Sequence, residues 1–539
     1  MAHDIRNARL SRRGPFRRMP HFSDSLARFA IAGVVLLTSV VYLHALGRAP
    51  IHVTSDEARF AVQAESIATT GRDLLGNRMP LFLNMIDPLA PEIRTQVWWQ
   101  PILFYLMAAT LRIAPLSEGS IRAPTACLGI LNVCLIYAVG RRLFANRWYA
   151  VLAALLLAST PAHILISRMA TDCFVPLSFA LAWLWCLLVS LNSSSWALPL
   201  TTGIVLGAGA YSYITSWMVM PFYLVVTAVV FWLSRKPVSA TIALGIGFAV
   251  PLVPLIWWLR QHPTMPREIF IHYSVATSWR FTERVSVYWS YFNPSLLFFS
   301  GAADPMFATR QAGIFLLAVA ALLPCGLWSA WMNPVTQRTV IVLAFLCAPL
   351  PVVAALPDDP GQFTPRVLLF VPFGVLISVL GVEWLVTHRG RAGRIAAALL
   401  IFSVPMQFTS FVSDYFTRYQ TWAAFRFDDM NLRGVAEYVI GIDRSSRVPA
   451  LYFVKKDARE SKTVQWKFHL LAHGRPDIWN RSTYFVPGRS GLDVQSGSLL
   501  IHSAVMEGVN ELTAGGRWSV IHMVNGVAGD PAAVILRWH

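Results

Sequence analysis

Apolar and polar positions in this chain are arranged in long blocks rather than residue by residue. A helix that crosses a bilayer needs about 20 predominantly apolar residues. Blocks of about that length fall at 29–47, 121–140, 148–167, 174–191, 197–214, 217–233, 238–259, 311–332, 339–356, 367–386 and 395–412, which predicts eleven spans. The polar residues between them set the sidedness, because cytoplasmic loops carry the excess of Lys and Arg. Arg141, Arg142, Arg147, Arg235, Lys236, Arg338, Arg389, Arg391 and Arg394 then share one side with a basic, cytoplasmic N-terminus, 1–28. A further apolar stretch, 99–113, would put Arg141 and Arg142 outside if it crossed. It is therefore expected to be a membrane-dipping helix of the first outer loop, 48–120. A second large outer loop covers 260–310. No small-residue cleavage site follows Leu46, so the first block is expected to remain as an uncleaved span with its N-terminus inside.

Beyond 412 the pattern changes. Residues 432–442 have the spacing of an amphipathic helix, and 464–473 also read as helical. Short runs at 450–454, 499–503, 518–524 and 532–536, bounded by Gly, Pro or polar residues, read as strands. The fold class is thus an α-helical polytopic membrane protein, with a transmembrane domain at 29–412 and a C-terminal periplasmic α/β domain at 413–539.

Composition agrees with that reading. Of 539 residues, 55% are hydrophobic and 14% charged, and the mean hydropathy is +0.51. A soluble domain rarely carries so little charge. The net charge of +17 would suit nucleic acid, but the arginines cluster between apolar blocks, which is a topology signal; nucleic acid is not an expected partner, and membrane lipids are. All six cysteines lie in or beside apolar blocks without metal-ligand spacing, so they read as packing residues.

The most informative polar feature is Thr54-Ser55-Asp56-Glu57, just past the first block. Two adjacent carboxylates at a membrane surface are costly to desolvate. They open a helical stretch whose Phe60, Ala61, Ala64, Ile67 and Ala68 share one face. Thr54 and Glu57 have the spacing of a capping box, which accounts for Glu57 without any chemistry. On the predicted topology the outer mouth of the bundle gathers Asp56 and Glu57 from the first outer loop and Asp172 beyond the third span. It also gathers Arg260, His262, Arg267, His272, Arg280 and Arg284 from the 260–310 loop, and Arg366 before the tenth span. Carboxylates facing arginines suit an anionic substrate: a carboxylate can take the proton of an attacking hydroxyl, while Arg or a divalent metal neutralises a phosphate leaving group. Each position also has a simpler reading, with Asp172 as a helix cap, Arg168 snorkelling to the interface and Arg366 as an interfacial anchor.

The order of these features resembles the GT-C glycosyltransferases that draw sugars from polyprenyl-phosphate carriers, and within them the bacterial branch related to protein O-mannosyltransferases and the lipid A aminoarabinose transferase (glycosyltransferase family 39/83-like). The matching pieces are Ser55-Asp56-Glu57-Ala58-Arg59-Phe60-Ala61, the helix introduced by Trp98-Trp99-Gln100-Pro101, Arg122-Ala123-Pro124 through Arg141-Arg142-Leu143-Phe144, and Pro161 to Asp172 with Ser167-Arg168. Gly207-Ala208-Gly209-Ala210-Tyr211-Ser212-Tyr213, Tyr291-Phe292-Asn293-Pro294 to Gly301, and Pro365-Arg366 complete the set. The resemblance implies a membrane glycosyltransferase, hexosyl or pentosyl, that inverts the anomeric centre at the periplasmic face of a bacterial inner membrane. The donor would be a polyprenyl-phosphate sugar and the acceptor a hydroxyl of a glycan, lipid or protein. It makes Asp56 the catalytic base. It places Glu57, Asp172, Arg168 and Arg366 at the substrate, with Arg260 and Arg267 as further cations of the mouth, and leaves a divalent cation on Asp172 and Glu57 as an open candidate. Two departures stand out. No Asp-x-Asp or Asp-x-Glu occurs in the second loop, so a firm metal site lacks a carboxylate. Trp99-Gln100-Pro101 replaces the Glu-Lys-Pro of the aminoarabinose branch, so that sugar is unsupported. The competing readings are a flippase or transporter of lipid-linked sugars, which would place ionisable groups mid-membrane, and a periplasmic polysaccharide ligase or polymerase, which would work through the 260–310 loop without Asp56.

Overall fold

The computed structural model describes residues 21–87, 89–273, 281–355, 364–454, 460–485, 494–504 and 508–539. Helix α1 (His21–Leu43) is followed by the outer-loop helix α2 (Ser55–Thr70), an antiparallel hairpin of β1 (Leu83–Asp87) and β2 (Ala90–Trp99), and the short apolar α3 (Pro101–Leu111). Pro101 stands at the first turn of α3, where its missing N–H costs nothing. Next come α4 (Glu118–Leu143) and a bent pair, α5 (Arg147–Ala158) and α6 (Pro161–Ser167), which meet at 58°. Pro161 cannot continue α5, and the hydroxyls of Ser159 and Thr160 turn back onto the carbonyls of Leu155 and Leu156 at 2.8 and 2.7 Å. Helices α7 (Val175–Leu191), α8 (Ala197–Gly209), α9 (Ser216–Leu233) and α10 (Val238–Gln261) lead to the loop helices α11 (Met265–Tyr273) and α12 (Phe281–Ser290). Then come α13 (Leu317–Met332), α14 (Thr336–Cys347), α15 (Leu350–Ala355), α16 (Phe370–His388) and α17 (Gly390–Phe416).

Every one of the eleven apolar blocks coincides with a helix, a bent pair or, for 339–356, the α14–α15 stretch. Among the described residues, eight helical stretches are long and apolar enough to cross a membrane, and the α5–α6 pair makes nine; α8 and α13 are shorter apolar helices. Helix α3, expected to dip rather than cross, is also short and packs against α2. Helices α7 and α16 form the buried centre of the bundle, while α1, α10 and α17 turn Leu36, Leu37, Trp257, Phe402 and Met406 outward, as lipid-facing helices do. At the crossing of α8 and α10 a side-chain carbon on Gly247 would stand 2.1 Å from the carbonyl oxygen of Leu200, so only glycine allows that approach.

After α17, the short α18 (Arg418–Trp422) and α19 (Ala424–Phe427) lead into α20 (Leu432–Ser445), β3 (Leu451–Val454), α21 (Glu460–Ala472), α22 (Pro476–Trp479), β4 (Ser482–Phe485), β5 (Leu499–Ser503), α23 (Gly508–Ala514), β6 (Trp518–Asn525) and β7 (Pro531–Trp538). The five strands form a mixed sheet in the order β4-β3-β5-β7-β6, with β3 parallel to β4 and β5. All four strand-like runs are strands, and β4 is an additional one. The core does not stop at the domain boundary. Val464 and Phe468 of α21 are buried with Val53, Phe60, Ala61, Phe104 and Ile121 in one cluster beneath the outer mouth.

Candidate active site

The segment joining α1 to α2 has no regular structure of its own, and two buried arginines hold it. Arg168, at the end of α6, spends all five N–H groups within the protein. Its Nη1 donates to the carbonyls of Val41 and Tyr42 (2.7 and 2.9 Å), its Nη2 to those of His44 and Ala49 (2.7 and 2.9 Å), and its Nε to the Tyr415 hydroxyl (3.2 Å). It thereby satisfies carbonyls that the C-terminus of α1 leaves bare. Arg122, in the first turns of α4, does the same one step further along. It donates to the carbonyls of Leu46, Pro50 and His52 (2.9, 2.7 and 2.7 Å) and to both oxygens of Glu57 (2.7 and 3.2 Å).

Glu57 closes this network. It forms the expected capping box with Thr54 at 2.9 and 3.0 Å, and its Oε1 also accepts the backbone N–H of Ala170 at 2.9 Å. Four donors converge on a carboxylate that is 1% exposed. Glu57 therefore ties α2, α4 and the segment between α6 and the Asp172 turn together.

This fixed frame presents Asp56 outward. Its side chain is 53% exposed and is held at 2.5 Å by Arg59, one turn along α2. Asp172, in the helical turn Asp172–Phe174, is 3% exposed and close enough to Asp56 for their charges to repel. Its Oδ2 finds no partner among the described residues. The turn Thr364–Val367, which carries Arg366, packs directly against the Asp172 turn. Asp56, Asp172 and Arg366 thus come from three distant stretches to one mouth.

The 260–310 loop reaches the first outer loop through the hairpin. Helix α11 packs on β2, Trp98 Nε1 donates to Glu268 at 2.6 Å, and Phe82, Trp258, Met265 and Ile269 bury one another. Arg260 and Arg267 are exposed there. His262 stacks on Trp258 at 4.1 Å and caps its carbonyl, a packing role. Arg284 Nη1 is 3.5 Å from the carbonyl of Val353. Arg280 and the side chain of His272 lie outside the described residues.

Two expectations are corrected. Glu57 and Arg168 were read as substrate-binding, with Glu57 also a candidate metal ligand. All the donors of Arg168 and both oxygens of Glu57 are occupied by protein, so each positions the site without touching substrate. Among the described residues no three His, Cys, Asp or Glu side chains cluster as a metal would require. The sequence reading gave Arg122 no role, although an arginine inside the apolar block 121–140 is itself a signal.

The fold and this mouth define a polytopic membrane protein with the GT-C fold. The structure is similar to that of ArnT from Cupriavidus metallidurans in the apo state, with a TM-score of 0.61 and 15% identity, covering 95% of this chain and 98% of that one. It is similar also to the same protein bound to undecaprenyl phosphate, with a TM-score of 0.58 and 12% identity over 94% and 97% of the two chains. The model of the dolichyl-phosphate-mannose-protein mannosyltransferase family matches residues 100–258, from Gln100 through Trp258 of α10. No curated protein matches the sequence.

Proposed function

We propose that this protein is an inverting glycosyltransferase that moves a sugar from a polyprenyl-phosphate carrier to a hydroxyl acceptor at the periplasmic face of a bacterial inner membrane. The observation that carries the reading is the mouth itself: an outward-facing Asp56 on a rigid frame, beside a buried, half-satisfied Asp172 and the turn of Arg366. The ArnT relative in complex with undecaprenyl phosphate supports a lipid-phosphate donor. The ionisable groups Glu57, Arg122, Arg168 and Asp172 gather at one end of the bundle rather than at mid-membrane, which favours surface chemistry over transport.

In this reaction the acceptor oxygen attacks the anomeric carbon as the bond from that carbon to the carrier phosphate oxygen breaks. The acceptor proton passes to the Asp56 carboxylate, and the bond electrons leave with the phosphate, whose charge Arg366 and the rim cations Arg260 and Arg267 neutralise. Asp56 leaves Arg59 for the acceptor as it takes the proton. Asp172, with one oxygen unpaired, orients a substrate hydroxyl.

The test is Asp56→Asn in purified full-length protein given a polyprenyl-phosphate sugar and envelope glycolipid acceptors, with products read by mass spectrometry. Transfer should fall by about 10²–10⁴-fold, the range of a lost general base, while folding is unchanged. Substantial residual transfer would remove Asp56 from the mechanism and favour a ligase acting through the 260–310 loop.

A further inference from the structure

A cavity of about 460 Å³, whose lining includes none of Asp56, Asp172 and Arg366, opens between the bundle and the C-terminal domain. That lies within the size range of small-molecule sites, about 300–1,000 Å³. One wall is the α1–α2 connection at His52. A second is the α18–α19 stretch with Arg418, Trp422 and Asp428, and the third is the β6–β7 turn, 526–530, with Asp530.

Its chemistry is unusual for an interface that only packs. His52 is 3% exposed, yet neither ring nitrogen finds a partner among the described residues. Burial lowers the affinity of its imidazole for a proton. A buried polar ring without partners is costly unless something completes it. Asp530, exposed on the turn, has no ion-pair or side-chain hydrogen-bond partner among the described residues, whereas Asp428 and Asp429 share Lys462, and Arg418 is paired with Asp414 at 3.0 Å. At the rim Trp422 is 41% exposed and Phe425 60%.

We propose that this cavity binds a neutral carbohydrate, the sugar portion of the acceptor. Aromatic faces stack on the C–H face of a sugar ring, and carboxylate and imidazole bond its hydroxyls. The unpaired carboxylate of Asp530 disfavours an anionic lipid phosphate, which separates this cavity from the donor site. The connection to chemistry is short. The His52 carbonyl is held by the same Arg122 that holds Glu57, so the cavity wall and Asp56 sit on one fixed segment. Naming the bound sugar as acceptor rests on the transferase reading; the cavity's taste for carbohydrate does not.

The experiment is saturation-transfer-difference NMR of the full chain in phosphatidylcholine nanodiscs, with methyl glycosides of glucose, galactose, mannose and N-acetylglucosamine as probes. At least one glycoside should give saturable binding on the order of millimolar affinity. Trp422→Ala and Asp530→Asn should each weaken it about tenfold or more, the scale of a lost hydrogen bond to a charged group or a lost aromatic contact. Both are surface changes, and their melting temperatures are recorded alongside. No binding by any of the four glycosides, or binding that survives both rim variants, overturns the proposal. Because binding is read without turnover, a protein that binds but does not transfer would sink only the transferase reading.

Discussion

Replacing Arg122 with lysine separates a positioning residue from one that touches substrate. The guanidinium serves five acceptors: Glu57 Oε1 and Oε2 and the carbonyls of Leu46, Pro50 and His52. A lysine ammonium keeps the charge but has three donors on a single nitrogen, so at least two of those acceptors lose their bond. Each sits where water cannot replace it, and a bare buried acceptor costs about 1–3 kcal/mol. Arg122→Lys should therefore lose about 2–6 kcal/mol of stability. Arg122→Met goes further and leaves Glu57 an unpaired buried carboxylate, at about 3–5 kcal/mol for that alone. The assay is thermal unfolding of the full chain in detergent, followed by fluorescence-detected size exclusion without any substrate. Glu57→Gln and the double variant complete a cycle in which the coupling should exceed that of a surface pair. A ligand-binding arginine would show the opposite pattern. If Arg122→Lys melts with the wild type while transfer collapses, the assignment of Arg122 and Glu57 to the frame is refuted.

Asp56→Asn should behave as the mirror image, with wild-type melting and transfer down by about 10²–10⁴-fold, measured on the same preparations. Transfer should persist in EDTA; a loss that Mg²⁺ restores would show that Asp56 and Asp172 hold a cation after all. Burial holds the His469 imidazole at about 3 in the folded protein, while in the unfolded chain it titrates near 6.5. The unfolded state then binds the extra proton, so stability should be full above about pH 6.5 and decline as pH falls toward 3. Melting curves of His469→Gln across that range should be flatter than those of the wild type. Gly247→Leu should separate α8 from α10 and abolish the folded monodisperse peak in size exclusion, whereas the same change at Gly245, which faces open space, should be tolerated.

The membrane helices were legible because a bilayer imposes one requirement on every span: an unbroken apolar block with charge at its ends. The capping box of Thr54 and Glu57 was legible from local spacing alone. What failed was the assignment of the partners that lie far away in the chain. Glu57 and Arg122 are 65 positions apart and Arg168 and Tyr415 are 247 apart, and no local pattern states that they meet. In the sequence, a charge neutralised inside the protein and a charge offered to substrate look alike. The hairpin β1–β2 was missed because Pro88 and Pro91, together with the charges of Asp87, Glu92 and Arg94, obscure its alternation. The strand β4 was missed because Ser482 and Thr483 leave it only two apolar positions, whereas the equally short β3 is apolar throughout.

Gln465 carries a consequence for how such a protein can diversify. Its amide nitrogen donates to the carbonyl of Val53 at 2.8 Å and to that of Phe427 at 3.1 Å, so a side chain of the C-terminal domain grips the strand of chain that leads into Asp56. With Val464 and Phe468 wedged beneath α2, position 413 divides the chain in topology but not in packing. The tail is consequently not a cassette that can be exchanged between relatives. A graft would have to bring its own match for Val53 and the face of α2.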